Sequence, residues 1–276
     1  MNYAQLFRHY QKRLAALDEE EDALLYVFKE LKDWSNLDIA LNQNQDVSPE
    51  DAALLKDIYQ KLSAHVPPQY ITGRAYFGKL CLAVDKRVLI PRPETEELTA
   101  LILSENDKHP LSVLDIGTGS GAIALCLKSA RPAWRVMASD ISPDALAVAK
   151  GNADFYQMAL DFAESDVFSA ISASFDIIVS NPPYIAESDR KEVAANVLLS
   201  EPHSALFAEE DGLALYRRII HGAGSHLSEA GKLYLEIGWK QGEKVRALLT
   251  DAFPQKRVRI LQDSFGKDRM AAVDDG

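Results

Sequence analysis

From Tyr3 to about Leu62 apolar residues return every three or four positions, with Leu24, Phe28 and Leu31 in one stretch and Leu54, Ile58 and Leu62 in another. That spacing predicts a bundle of amphipathic helices. The last helix carries a start signal, because Ser48 can cap it, Pro49 suits its first position and Asp51 stands at capping-box spacing. The acidic run Asp18 to Asp22 reads as a helix entry and a solvated face. Between His65 and Arg92 the pattern changes: Pro67, Pro68, Gly73, Gly78 and Pro91 punctuate the chain, and apolar residues alternate around Cys81 to Val84. This is the mark of a linker carrying a β-hairpin. Beyond residue 112, short apolar runs at 112–116, 135–139, 175–180, 232–237 and 258–262 alternate with helix-length segments, and a further strand is expected just before Asp166. Such alternation predicts an α/β domain with a mostly parallel sheet covered by helices on both faces. A last run, 270–273, follows without room for a helix and is expected to pair antiparallel at an edge. The organisation predicted is a helical bundle over 1–66, a linker over 67–92 and an α/β domain over 93–276.

Composition narrows the function classes. The 276 residues, 47% hydrophobic and 26% charged, suffice for one large core or two modest ones. The formal net charge is −11, with 7 Lys+Arg against 12 Asp+Glu over residues 1–70 and 23 against 29 over the rest, so bulk electrostatics do not favour nucleic acid. Cys81 and Cys126 are too few for a disulfide framework or a zinc-ligand pattern and read as reduced, packed thiols. Residues 1–14 contain no apolar leader segment, and no later run approaches the ~20 apolar residues of a membrane span. A soluble cytoplasmic protein is expected.

The segment Val113-Leu114-Asp115-Ile116-Gly117-Thr118-Gly119-Ser120-Gly121 is an apolar strand that enters a glycine-rich turn and then a helix. Glycines let backbone approach a ligand closely, and open parallel sheets bind ligands beyond the carboxyl ends of their strands. The plain alternative is a tight strand-to-helix turn with no ligand. In a dinucleotide fingerprint the third glycine comes three positions after the second; here Gly121 comes two after Gly119. Asp115 would repel a pyrophosphate yet can pair with the cationic amino-acid moiety of S-adenosylmethionine. Asp140, closing the second strand, can accept both ribose hydroxyls, although an acid there suits NAD equally, and Ser142 and Pro143 independently mark a helix start. Asp166 can accept the adenine amino group with Val167 against the ring; an ordinary loop Asp fits as well.

After the run 175–180 comes Asn181-Pro182-Pro183-Tyr184, at the strand end that faces the glycine turn and so against both cofactor and acceptor. The prolines fix the loop and remove local N–H competitors, so the Asn181 side-chain oxygen and the Pro182 carbonyl can both accept from one NH₂ group. An amide nitrogen is a poor nucleophile. Holding its two hydrogens turns it toward an activated methyl group and stabilises the positive charge that develops. Tyr184 can pack on the planar acceptor. A rigid proline turn alone would explain the prolines but not the whole tetrapeptide. His221 and His226, five apart on a helical stretch, do not share a face and read as surface or packing residues.

With these residues in hand, the chain resembles the release-factor glutamine methyltransferase family over nearly its whole length. The resemblance rests on Gln69-Tyr70-Ile71 with Gly73 and Phe77, Ile90-Pro91-Arg92-Pro93-Glu94-Thr95-Glu96, Asp115 to Gly121, Asn181 to Tyr184, Glu201-Pro202 with Ala205-Leu206, Leu235-Glu236-Ile237-Gly238, and Asp263 with Gly266 and Arg269. It implies a helical substrate-docking domain joined through a β-hairpin to a class I S-adenosylmethionine-dependent, Rossmann-like domain. The implied acceptor is the glutamine of the Gly-Gly-Gln motif of peptide chain release factors, its amide held by Asn181 and Pro182. It also implies a role near the cofactor for Pro91 to Glu96, which taken alone is a helix start with acids in its first turn. Some relatives carry a large aromatic where this chain has Val167. The rival enzyme is a DNA methyltransferase acting on exocyclic amines, whose base flipping and phosphate binding the acidic charge opposes. A non-catalytic docking protein is the rival of another class.

Overall fold

The computed structural model describes residues 1–106 and 109–276. The chain divides into two compact units, Met1–Arg74 with Val193–Glu201, and Ala75–Glu192 with Pro202–Gly276.

The first unit is helical: α1 (Tyr3–Ala15), α2 (Glu21–Lys32), α3 (Asn36–Asn42), α4 (Pro49–Ser63) and α5 (Pro68–Thr72). The apolar stripes of α1, α2 and α4 meet in a core of Phe7, Leu14, Leu24, Val27, Phe28, Leu55, Ile58 and Leu62. Ser48 caps α4 by accepting from the Asp51 amide at 3.0 Å. The Asp51 carboxylate does not complete the capping box; it is buried and takes the Tyr3 hydroxyl and Lys32 Nζ, the latter at 2.8 Å. Glu19, from the acidic run, bonds His65 Nδ1. The segment Val193–Glu201 contains a short helix, α9 (Ala195–Ser200), and Ser200 Oγ donates to the His65 carbonyl at 3.1 Å. Sequence alone placed this piece in the α/β domain, because nothing local distinguishes it there.

The second unit begins with the hairpin β1 (Arg74–Phe77) and β2 (Leu80–Ala83), followed by α6 (Pro93–Glu105), β3 (Ser112–Ile116), α7 (Ala122–Ala130), β4 (Arg135–Asp140), α8 (Pro143–Phe155), β5 (Asp161–Glu164) and β6 (Phe175–Ser180). After these come the single turn α10 (Glu209–Gly212), α11 (Ala214–His226), β7 (Leu227–Glu236), α12 (Gly242–Ala252), β8 (Arg257–Gln262) and β9 (Asp268–Asp274). The hairpin behaves as part of this unit rather than as a free linker: Phe77, Leu80 and Leu82 bury themselves against Ala122 and Leu125 of α7 and Ala153 of α8.

Among the described residues, seven strands form the main sheet in the order β5-β4-β3-β6-β7-β9-β8, with β9 antiparallel to both neighbours. The antiparallel strand is therefore interior, and β8 takes the edge. A tight turn lets β9 fold back beside β8, and its almost wholly buried face pattern suits an inside position. Alternation along the central strands feeds two cores. Leu114, Ile178, Leu233 and Leu235 face α11 and α12, while Val113, Ile177, Val179 and Tyr234 face α6 and α7. No helix among the described residues is long and apolar enough to cross a membrane.

Candidate active site

The register aligns Ile116 of β3 with Ser139 of β4 on one side and with Ser180 of β6 on the other. The glycine turn, Asp140 and Asn181 therefore leave the sheet side by side. The chain runs from β3 outward to β4 and β5 and then returns to β6 on the other side, so strand order reverses here, where open α/β sheets bind ligands.

The turn after β3 uses backbone angles that side chains resist, with φ of 70° at Gly117, 56° at Gly119 and 83° at Gly121. The amides of Gly117 and Thr118 both donate to the Ser139 carbonyl at 2.9 Å, and that of Gly119 donates to Asp140 Oδ2 at 2.9 Å, lacing the turn to the end of β4. A side-chain carbon at Gly117 or Gly119 would meet nothing within 4 Å, whereas at Gly121 it would stand 3.1 Å from Leu125 Cδ1 and 3.3 Å from Ala149 Cβ. The first two glycines leave open approach to the backbone; the third serves close packing of α7 on α8.

Asp115 is fully buried. Its Oδ2 accepts from Thr118 Oγ1 at 2.6 Å and from the Ala124 amide at 3.2 Å, while Oδ1 has no partner among the described residues. Burial, the dominant cause, pushes its carboxyl up to about 7. An orphaned buried acceptor is a place for a donor, and best for a cationic one. Beside Gly117 and Gly119, where nothing obstructs approach to the backbone, it fits the ammonium end of an amino-acid-bearing cofactor. Asp140 accepts from the amides of Gly119 and Ser142, each at 2.9 Å, and burial raises its carboxyl as well. Each of its oxygens keeps lone-pair capacity for a further donor.

Asp166 and Val167 follow β5, tied to the site through the Ser165 amide, which donates to the Asp140 carbonyl at 2.9 Å. The Asp166 carboxylate, about half exposed, pairs with Arg218 at 2.8 Å. Val167, at φ 57°, packs in the apolar core between the sheet and α11. A β-branched residue in that left-handed conformation is held there by burial of its side chain.

Asn181 is partly buried, and its Nδ2 donates to Thr95 Oγ1 at 3.1 Å. Thr95, in the first turn of α6, donates in turn to Glu236 Oε2 at 2.6 Å. Glu236 closes β7, is 1% exposed, and is pushed up to about 7, chiefly by burial. Tyr184 Oη lies 3.4 Å from Glu236 Oε1, and burial raises its hydroxyl well above the ordinary range. Behind the loop, Gln241 Nε2 donates to the Tyr184 carbonyl at 2.9 Å and Gln241 Oε1 accepts from the Gly238 amide at 3.1 Å. Sequence reasoning did not single out Gln241, and it named Thr95 and Glu236 only within resemblance motifs, Thr95 in the stretch Pro91 to Glu96 implied to lie near the cofactor, without giving either a role. A signal existed for Glu236, a carboxylate ending an apolar run just as Asp115 does. His226 stacks on Phe168 and bonds two backbone carbonyls.

Fold and site together define a class I, Rossmann-like methyltransferase. Residues 5–73 match the family described as PrmC N-terminal domain and residues 94–212 the methyltransferase small domain. The release factor glutamine methyltransferase of Streptococcus pneumoniae is 53% identical over 100% of this chain and 99% of its own length, and that of Lactococcus lactis is 49% identical over 95% and 97%. The chain belongs to the release factor glutamine methyltransferase family. A methyltransferase from Pyrococcus furiosus, 17% identical, superposes with a TM-score of 0.55 over 81% of this chain and 98% of that one, a likeness of fold.

Proposed function

We propose that the chain transfers a methyl group from S-adenosylmethionine to the side-chain amide nitrogen of the glutamine in the Gly-Gly-Gln motif of peptide chain release factors. The observation that carries this reading is the full-length likeness to relatives of that name, 53% identical over both chains. S-adenosylmethionine, when bound, supplies an electrophilic methyl group on a positively charged sulfur. In this reading Asp115 would hold the ammonium of the cofactor, the backbone of Gly117, Thr118, Gly119 and Gly121 would cradle it, Asp140 would accept the ribose hydroxyls, and Asp166 and Val167 would border the base.

Asn181 Oδ1 and the Pro182 carbonyl accept the two hydrogens of the glutamine amide. This aims its nitrogen lone pair at the methyl group and stabilises charge as the amide conjugation is lost. Pro182 and Pro183 bring no N–H to compete for those acceptors. Tyr184 packs against the planar amide. No covalent enzyme intermediate would be needed: one nitrogen–carbon bond forms as one sulfur–carbon bond breaks, and the nitrogen gives up one of its two protons to solvent. The helical unit docks the release factor, and the protein works in the cytoplasm. The net charge of −11 counts against a DNA acceptor.

The test is transfer of labelled methyl to a purified release factor, beside a Gly-Gly-Gln to Gly-Gly-Ala variant of that factor and an equal mass of duplex DNA. Label on the unmodified factor alone is expected. Label on DNA, or on neither, overturns the substrate assignment.

A further inference from the structure

We propose that Thr95 and Glu236 form a positioning relay that fixes which way round the Asn181 amide faces, so that its oxygen and not its nitrogen meets the acceptor NH₂ group. The inference rests on the acceptor assigned above. It concerns residues that sit behind the reacting groups.

A primary amide is nearly symmetric in shape but opposite in hydrogen-bonding character at its two ends. A site that must accept two hydrogens fails if Asn181 turns over, because its own NH₂ would then confront that of the substrate. The neighbours of Asn181 decide the matter. A threonine hydroxyl has a single proton, and Thr95 gives it to Glu236 Oε2 at 2.6 Å. An ionised Glu236 offers no proton in return, so in that form the Thr95 oxygen has only lone pairs left for Asn181, 3.1 Å away, and Asn181 presents Nδ2 to it. The oxygen of Asn181 is thereby turned to the other side.

The geometry is held tightly. Thr95 and Glu236 are 4% and 1% exposed, so water does not offer Thr95 an alternative acceptor. The Tyr216 hydroxyl fixes the backbone of Glu236 by donating to its carbonyl at 3.0 Å. Around the carboxylate stand Tyr184 from the loop after β6, Arg269 from β9 and Glu94 from α6. The relay joins residues 86 and 141 positions apart, and each of them lies where an element meets the catalytic edge of the sheet.

The test compares Thr95→Val, Thr95→Ser and Glu236→Gln with the unaltered enzyme. Thr95→Val removes the proton donor at nearly constant shape, and Thr95→Ser restores it. Glu236→Gln can turn an NH₂ toward Thr95 and free its hydroxyl to reverse. Thr95→Val and Glu236→Gln are expected to lower kcat by roughly ten- to a hundredfold, with a smaller change in KM for the release factor and cofactor affinity within about threefold, which also shows that the variants fold. Thr95→Ser should stay within a few-fold of the unaltered enzyme. Asparagine-selective ¹⁵N labelling gives a readout without substrate: the Asn181 side-chain amide, assigned with Asn181→Asp, should shift and exchange faster with solvent in Thr95→Val and not in Thr95→Ser. Unchanged kcat in Thr95→Val, equal impairment in Thr95→Ser, or an unmoved Asn181 resonance overturns the relay. If the unaltered enzyme labels no release factor, the substrate assignment falls while the Asn181 resonance still decides the relay.

Discussion

Asn152 exchanges two hydrogen bonds with the backbone of Ala83, its Oδ1 accepting from the Ala83 amide at 2.7 Å and its Nδ2 donating to the Ala83 carbonyl at 3.0 Å. The same Nδ2 group reaches the Ser120 carbonyl at 2.9 Å, so one buried side chain ties the hairpin to the glycine turn. Asn152→Ala leaves three backbone groups to find other partners. It should cost about 2–4 kcal/mol of stability in urea denaturation and weaken cofactor binding as the Ser120 turn loosens.

Asp115 yields a pH prediction. Burial pushes its folded-state carboxyl from the ordinary aspartate range up to about 7. A raised carboxyl favours the protonated form in the fold, so its contribution to stability is present at low pH and is lost as pH rises toward 7. A cationic cofactor end reverses that preference, and binding should tighten as pH rises through about 7. Titration calorimetry between pH 5.5 and 8 checks this. Asp115→Asn should flatten the dependence and weaken binding roughly 10- to 100-fold at pH 8. Glu236, also pushed up to about 7, leaves a residual stability slope in that variant.

Asn181→Ala removes one of the two proposed acceptors for the substrate amide. Loss of one preorganised group of this kind costs about 10²–10³ in kcat, and cofactor affinity should change little. Unchanged methyl transfer by this variant would sink the mechanism.

Gly212, at φ 79°, stands where a side-chain carbon would lie 2.1 Å from the Tyr184 carbonyl oxygen and 2.6 Å from Gln241 Nε2. Gly212→Ala must displace the backbone that ends the Asn181–Tyr184 loop, and it should lower kcat as well as the melting temperature. Gly266→Ala is the matched control, since φ there is 76° but nothing lies within 4 Å. It should cost about 1–2 kcal/mol of backbone strain and leave kcat nearly unchanged.

Much of the scaffold could be read from residue order. Short apolar runs located most of the strands, and glycine or proline chemistry located the turns after Ile116 and Ser180, because both signals are local. What escaped was decided by distance in the fold. Thr95 looked like one more polar residue in an acidic first turn until α6 brought it beside Glu236. The left-handed backbone that seats Val167 against the core and the pairing of Asp166 with Arg218 of α11 are likewise set by distant parts of the chain. The inside place of β9 likewise depends on where β8 lands, which no local pattern encodes.

That placement of β9 sets an order on assembly during synthesis. Among the described residues β8 pairs only with β9, and β9 is what joins it to β7. As the ribosome delivers the chain, residues 257–262 emerge first and have no neighbouring strand to join until residues 268–274 have followed. The half of the sheet that carries Glu236 thus waits for β9, and a nascent chain halted short of residue 268 leaves the Glu236 edge of β7 bare.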